Sequence, residues 1–341
     1  MQYRRSTLLV VFFLAQCPSL ASHASGQVGW GIVVDPQGTV SFTDMPEGAV
    51  WRIPPGGEPA KVALDKNSRA LVLGEGGRLY GAEPAPLAAL WAVDRDGTLS
   101  YLIPPGSNLP MDFRTFTLDS QGALYSVTSG TGTVLLQKRT PAGKIENLAG
   151  GGRGHADGRG NAARFQEIDG MAWGPDGLLY LADGPSIRTV SPDGSVETLG
   201  DRSVTDGEKG DLLGLTVAPD GTVYAADYGR RRALRISPGG EAQTVLEAGR
   251  LWAPTGVAVA GGDLYVLEQL RSPLAFLGDL GVGPYLQVRR VPAQGPPVVL
   301  ARFWGGNTIA GLGVLAAVLL LLVLLLRRRR RTRYGSRRIR L

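Results

Sequence analysis

The chain has 341 residues, one cysteine, two histidines and a formal charge of +6. Cys17 and His23 both fall in the N-terminal leader described next, so the remainder holds only His155 and can build neither a disulfide nor a His/Cys zinc cluster. High glycine and proline content, 49 and 23 residues, points to many tight turns rather than disorder, because alternating apolar segments run throughout.

Residues 1–24 read as a secretory signal peptide. Arg4 and Arg5 precede an apolar run over residues 8–15, and Ser22 and Ala24 occupy cleavage positions. The run is too short to span a bilayer.

From residue 25 to residue 300 one unit repeats, and its clearest copy is residues 213–236, LGLTVAPDGTVYAADYGRRRALRI. Two alternating segments flank the turn Pro219-Asp220-Gly221, and a third segment and turn follow, which predicts a four-stranded antiparallel meander. The turn glycines are Gly38, Gly77, Gly122, Gly177, Gly221 and Gly262. Tyr80, Tyr125, Tyr180, Tyr224 and Tyr265 lie three residues after the last five. A carboxylate lies six residues on at Asp44, Glu83, Asp183, Asp227 and Glu268, with Thr128 in the third unit. The spacing of about 45 residues is that of propeller blades. Six such units cannot bury their faces singly, so the predicted fold is all-β, a closed six-bladed β-propeller with four strands per blade. The first unit starts with its own inner strand and the last ends with its own outer strand. Ring closure is therefore expected to rest on packing between blades.

The segment APDGTVYAADYGRRRALRI resembles an NHL repeat, and residues 148–165, LAGGGRGHADGRGNAARF, resemble the Gly- and Asp-rich connector of bacterial NHL proteins. The resemblance covers residues 29–300. It implies a six-bladed propeller acting as a binding module. The tip asparagine of that family is replaced here by Arg230 and Arg231.

The recurring carboxylates all end second strands, so they share one face with the long connections, the usual place for binding. A ring of oxygen ligands could hold a hard cation such as calcium, although the sequence predicts no cofactor. Carboxylates at strand ends also accept backbone hydrogen bonds from the next turn, and recurrence in nearly every blade favours that local role, since one metal needs convergent ligands. His155 and Asp157, in the connector, are further candidates for catalysis or binding, against the simpler reading of a solvated loop. Residues 150–160 lack the lysine and hydroxyl of a phosphate loop and read as a flexible connector. Arg230 and Arg231 form a basic tip that suits an acidic ligand or a solvated hairpin end.

Residues 301–308 read as a juxtamembrane linker, with Phe303 and Trp304 at the outer membrane interface. Residues 309–326 are uninterrupted apolar sequence, a predicted transmembrane helix of about 27 Å. The tail, residues 327–341, holds nine arginines and no acid, which keeps it cytoplasmic by the positive-inside rule. Without those arginines and Arg4 and Arg5, the formal charge of the exported part is −5, so no nucleic acid is expected as partner. The sequence thus predicts a single-pass membrane protein with its propeller outside, binding an unknown protein or small molecule on the long-loop face. The alternative is a hydrolase resembling the gluconolactonases, which would use a metal in the central channel to open lactones or esters. That resemblance implies converging Glu, Asn and Asp side chains near the axis, and no asparagine falls within the predicted inner strands.

Overall fold

A computed structural model of the chain describes residues 29–83, 86–200, 204, 211–271 and 284–304. The predicted signal peptide, transmembrane helix and arginine tail lie outside the described residues. Among the described residues no helix is long and apolar enough to cross a membrane.

Each blade is an antiparallel meander whose first strand is innermost. Blade 1 holds β1 (Ile32–Val34), β2 (Val40–Asp44), β3 (Ala49–Ile53) and β4 (Ala60–Leu64). Blade 2 holds β5 (Leu71–Leu73), β6 (Leu79–Glu83), β7 (Ala89–Val93) and β8 (Leu99–Ile103). Blade 3 holds β9 (Phe116–Leu118), β10 (Leu124–Gly130), β11 (Thr133–Arg139) and β12 (Ile145–Gly152). Blade 4 adds a fifth, outermost strand: β13 (Gly158–Arg159) pairs with the edge of the meander β14 (Ile168–Trp173), β15 (Leu179–Asp183), β16 (Ser186–Val190) and β17 (Ser195–Thr198). Blade 5 holds β18 (Leu212–Val217), β19 (Val223–Asp227), β20 (Arg232–Ile236) and β21 (Ala242–Glu247). Blade 6 holds β22 (Trp252–Ala260), β23 (Asp263–Leu270), β24 (Pro284–Val291) and β25 (Val298–Trp304).

The turn glycines do what their spacing predicts. Gly38, Gly77, Gly122, Gly177, Gly221 and Gly262 all have φ between 79° and 84°, a region costly for any other residue. Apolar cores lie between neighbouring blades. One joins Tyr125, Leu136 and Phe165 to Leu179 and Leu181, across blades 3 and 4.

Two expectations change. Residues 150–160 are built into the fold: β12 runs to Gly152, β13 adds the edge strand, and Arg188 clamps the intervening carbonyl of Ala156 at 2.9 Å. Phe303 is not an interfacial side chain but part of β25, buried against Phe42 and Trp51 of blade 1 with ring centroids 4.9 Å away in each case. The last strand outruns the predicted end at residue 300 because its apolar side chains seal the ring. Ile32, Val40 and Phe42 share a core with Leu267, Tyr285 and Phe303, and the Tyr285 hydroxyl donates to Asp44. Among the described residues no strand is exchanged between blades 1 and 6, so apolar packing, with the Tyr285–Asp44 hydrogen bond, closes the circle.

Candidate functional site

Asp44, Glu83, Asp183 and Asp227 end their second strands as the sequence predicts, Glu268 stands two residues before the end of β23, and each of the five is engaged by its own neighbourhood. Asp44 accepts from Trp51 Nε1 at 3.1 Å and from Tyr285. Glu83 faces Lys66 Nζ at 3.5 Å. Asp183 is fully buried against Arg188 at 2.9 Å and accepts the backbone N–H groups of Gln166 and Glu167. Asp227 pairs with Arg232 at 2.9 Å, and Glu268 takes both nitrogens of the Arg289 fork at 2.6 Å. In the third blade Thr128 and Gln137 make the equivalent contact without charge, at 2.6 Å. Burial pushes the Asp44 and Asp183 carboxyls up, and their hydrogen-bond donors oppose this.

His155 and Asp157 belong to the same kind of network. Asp157 reaches Arg188 at 2.7 Å and Thr198 Oγ1 at 2.8 Å, while His155 Nδ1 lies 4.0 Å from Asp183. Arg188, with no exposed surface, thereby ties the connector to blade 4. The N–H of Arg230 caps Asp227, and the side chain of Arg231 donates to the carbonyl of Arg250 at 2.9 Å. None of these groups converges on the axis.

A different set does. The inner-strand partners of Phe42, Gly81, Ser126, Leu181, Ala225 and Val266 are Ile32, Leu71, Phe116, Met171, Leu215 and Val257. Two residues upstream of each partner stand Trp30, Arg69, Arg114, Asp169, Leu213 and Thr255, one per blade, on the long-loop face. The residue between is glycine in four of the six blades, Ala70 and Thr115 being the others, and the glycines have a steric reason. A Cβ on Gly170 would lie 2.1 Å from the carbonyl of Leu213, and one on Gly256 would lie 2.1 Å from that of Trp30. Inner strands crowd near the axis, and backbone fills the space that a side chain would need.

This axial ring carries the unsatisfied chemistry of the face. Arg114, Thr115, Glu167 and Asp169 line a small cleft between blades 3 and 4, with room for about one water. Asp169 has neither hydrogen bond nor ion pair among the described residues. Burial, then Glu167 and Asp211, push its carboxyl up to about 7, against the pull of Arg69 and Arg114. Arg114 is paired with Asp112 at 3.0 Å. The hydroxyl of Thr115 is buried without a partner, as are Trp30 Nε1 and Arg69 Nε. The Arg69 guanidinium sits over the Trp30 ring at 5.8 Å, and burial lowers its pKa.

The ring does not suit a divalent cation. It supplies one carboxylate and two guanidiniums, and its orphaned groups at Trp30 and Arg69 are donors, whereas calcium requires several oxygen acceptors. Among the described residues no three His, Cys, Asp or Glu side chains gather as metal ligands. The expected convergence of Glu, Asn and Asp is absent from the ring.

The sequence does not single out these six residues, because their types differ from blade to blade; Trp30 reads only as the start of the first inner strand, residues 30–34. A signal was present beside them: Gly31, Gly170 and Gly214 each precede their turn glycine by seven residues, marking the closest approach of the blades.

The SMP-30/gluconolactonase/LRE-like region matches residues 28–268. No curated protein matches the chain in sequence. Among solved structures, a calcium-binding protein, regucalcin, from Agrobacterium tumefaciens is 21% identical, with 82% of this chain and 92% of that chain covered and a TM-score of 0.57. A gluconolactonase from Xanthomonas campestris is 15% identical, with 70% and 83% covered and a TM-score of 0.54. A streptogramin B lyase is 15% identical, with 79% and 81% covered and a TM-score of 0.51. At these identities the structures speak for the fold alone. The matched family is a propeller family other than the NHL repeats, whose turn-strand-carboxylate pattern the blades resemble. By the extent of the match, the chain belongs to the SMP-30/gluconolactonase/LRE-like family.

Proposed function

We propose that this protein is a propeller hydrolase that opens a lactone or ester at the axial ring, with Asp169 as general base. One observation carries the reading: Asp169 is an unpartnered carboxylate beside a small cleft with room for a water, and its pKa is raised to about 7. A base so placed is half ionised near neutral pH, where proton transfer is most effective. Family membership supports this reading over a purely binding role.

In the proposed reaction Asp169 takes a proton from water, and the hydroxide oxygen bonds to the acyl carbon. The carbonyl oxygen becomes an oxyanion beside the Arg114 guanidinium and the Thr115 hydroxyl, which has no other partner. The intermediate collapses, the acyl–alkoxide bond breaks, and the alkoxide recovers the proton from Asp169. The products are one carboxylic acid and one alcohol, a hydroxy acid in the case of a lactone. No step passes through a metal.

The sequence also supports an exported, anchored location, with the apolar run 309–326 in the membrane and the arginine tail inside. Protease protection of the propeller in intact cells tests that part: digestion from outside supports it, and protection overturns it.

Turnover of a panel of lactones and aryl esters by the full-length protein tests the activity. A product heavier by one water, lost in Asp169→Asn, supports the proposal. An isomeric product of unchanged mass assigns the base to elimination instead, and no turnover by the wild type overturns the reading.

A further inference from the structure

Arg69 is unlike the other arginines of this face. Arg114 is held by Asp112, Arg188 by Asp183 and Asp157, Arg232 by Asp227, and Arg289 by Glu268. Arg69 has no ion pair and no side-chain hydrogen bond among the described residues. Its Nε is buried without an acceptor, and so is Nε1 of Trp30, a residue only 6% exposed. The two groups are neighbours: the guanidinium lies 5.8 Å from the centre of the indole, and the Trp30 backbone N–H donates to the Arg69 carbonyl at 2.7 Å. A buried donor without an acceptor costs free energy, and the half-buried Arg69 guanidinium has carboxylates near it but none in direct contact to offset its partial desolvation. The nearest unpaired carboxylate, Asp169, lies within electrostatic influence of Arg69 but forms no ion pair with it. Between blades 2 and 4 the ring therefore holds a cation and a base that lie within each other's field and do not pair.

We propose that Arg69 and Trp30 anchor an ionised carboxylate on the substrate, so that the ester or lactone opened at Asp169 carries a second, negatively charged carboxyl group. A planar oxyanion fits the open end of the guanidinium fork. Stacking on Trp30 holds the fork in place, so little side-chain freedom is lost on binding. The separation of Arg69 from Asp169 then sets the distance between anchored carboxylate and reacting acyl carbon. This selectivity rests on the hydrolase reading, but anion binding does not require turnover and is measured separately.

Titration calorimetry of the full-length protein with glutarate tests the anchor. Glutaramide serves as the uncharged control and inorganic phosphate as the other oxyanion. Glutarate is expected to bind and glutaramide not to bind. Arg69→Gln is expected to weaken glutarate by about tenfold or more. Arg69→Lys, which keeps the charge and reports on folding, is expected to retain part of the affinity. Arg235→Gln, on the exposed outer part of blade 5, leaves it unchanged. Asp169→Asn removes a neighbouring negative charge, so it is expected to tighten glutarate while stopping turnover. In kinetics, the wild type is expected to prefer an aryl monoester of glutarate to an aryl butyrate, and Arg69→Gln to lose that preference through KM. Glutarate binding that is equal in Arg69→Gln and wild type overturns the inference, as does binding of phosphate without glutarate. Turnover of neutral esters with no glutarate binding overturns the anchor and leaves the hydrolase standing. Arg69-dependent glutarate binding without turnover of any ester does the reverse.

Discussion

Asp227 and Asp169 stand on the same face in adjacent blades, and their surroundings are opposite. Asp227 has no exposed surface, pairs with Arg232 at 2.9 Å and caps the N–H of Arg230. Asp169 has no partner among the described residues and titrates near neutrality. The first has a counterpart in most blades, always held by the blade's own third strand or an adjoining segment. The second has none: its equivalents are Trp30, Arg69, Arg114, Leu213 and Thr255. In a repeat protein, what every unit needs to fold recurs, and what the whole ring does once appears once.

The comparison breaks most severely where the recurrent network is deepest. Arg188→Ala would strand Asp183 in the interior and free the connector at Ala156 and Asp157. The expected cost is about 3–5 kcal/mol, read as a lowered denaturant midpoint with any loss of activity following the loss of fold. A change below about 1 kcal/mol would place Asp183 outside the framework.

At Asp169 the sign is reversed. Its carboxyl has a folded pKa of about 7 against an ordinary value of 3.8. The folded state therefore binds more protons between those values, and stability falls as pH rises through that window. The penalty is absent below about pH 4 and complete above about pH 7. Asp169→Asn removes it, so the variant is expected to be more stable than wild type at pH 8 by about 1–2 kcal/mol, allowing for solvent screening of a partly open site. Thermal unfolding at pH 4 and pH 8 measures this, with the gain confined to the higher pH.

The smallest effect sharpens ring closure. Tyr285→Phe removes one donor to Asp44 but leaves Trp51 Nε1 and the N–H of Glu47. A loss of about 1–2 kcal/mol is expected in a urea titration, with the transition still cooperative, because the apolar core shared by blades 1 and 6 persists. A separate early transition for blade 1 would show that this contact, rather than packing, holds the circle.

The blades were legible because their determinants are local. The turn from Asp220 to Gly221, the alternation about Tyr224 and the terminal Asp227 all lie within one hairpin, and each blade repeats them. The site was not legible, because Arg69, Arg114 and Asp169 come from three blades and come within each other's field only when the ring closes. Phe303 was misplaced for a related reason. Beside an apolar run it looks interfacial, and only the unfilled edge of blade 1 shows where it packs. The resemblance to NHL repeats rested on turn and strand chemistry that propeller families share, so it predicted the fold and not the family.

The pH dependence of ester or lactone hydrolysis, measured with a chelator present throughout for wild type and Asp169→Asn, tests the central claim most directly. The account predicts a wild-type rate that rises with pH and levels off above a midpoint near 7, with Asp169→Asn lower by about a hundredfold or more and lacking that midpoint. A variant that keeps the wild-type profile, or a wild-type rate that the chelator abolishes and calcium restores, would contradict it.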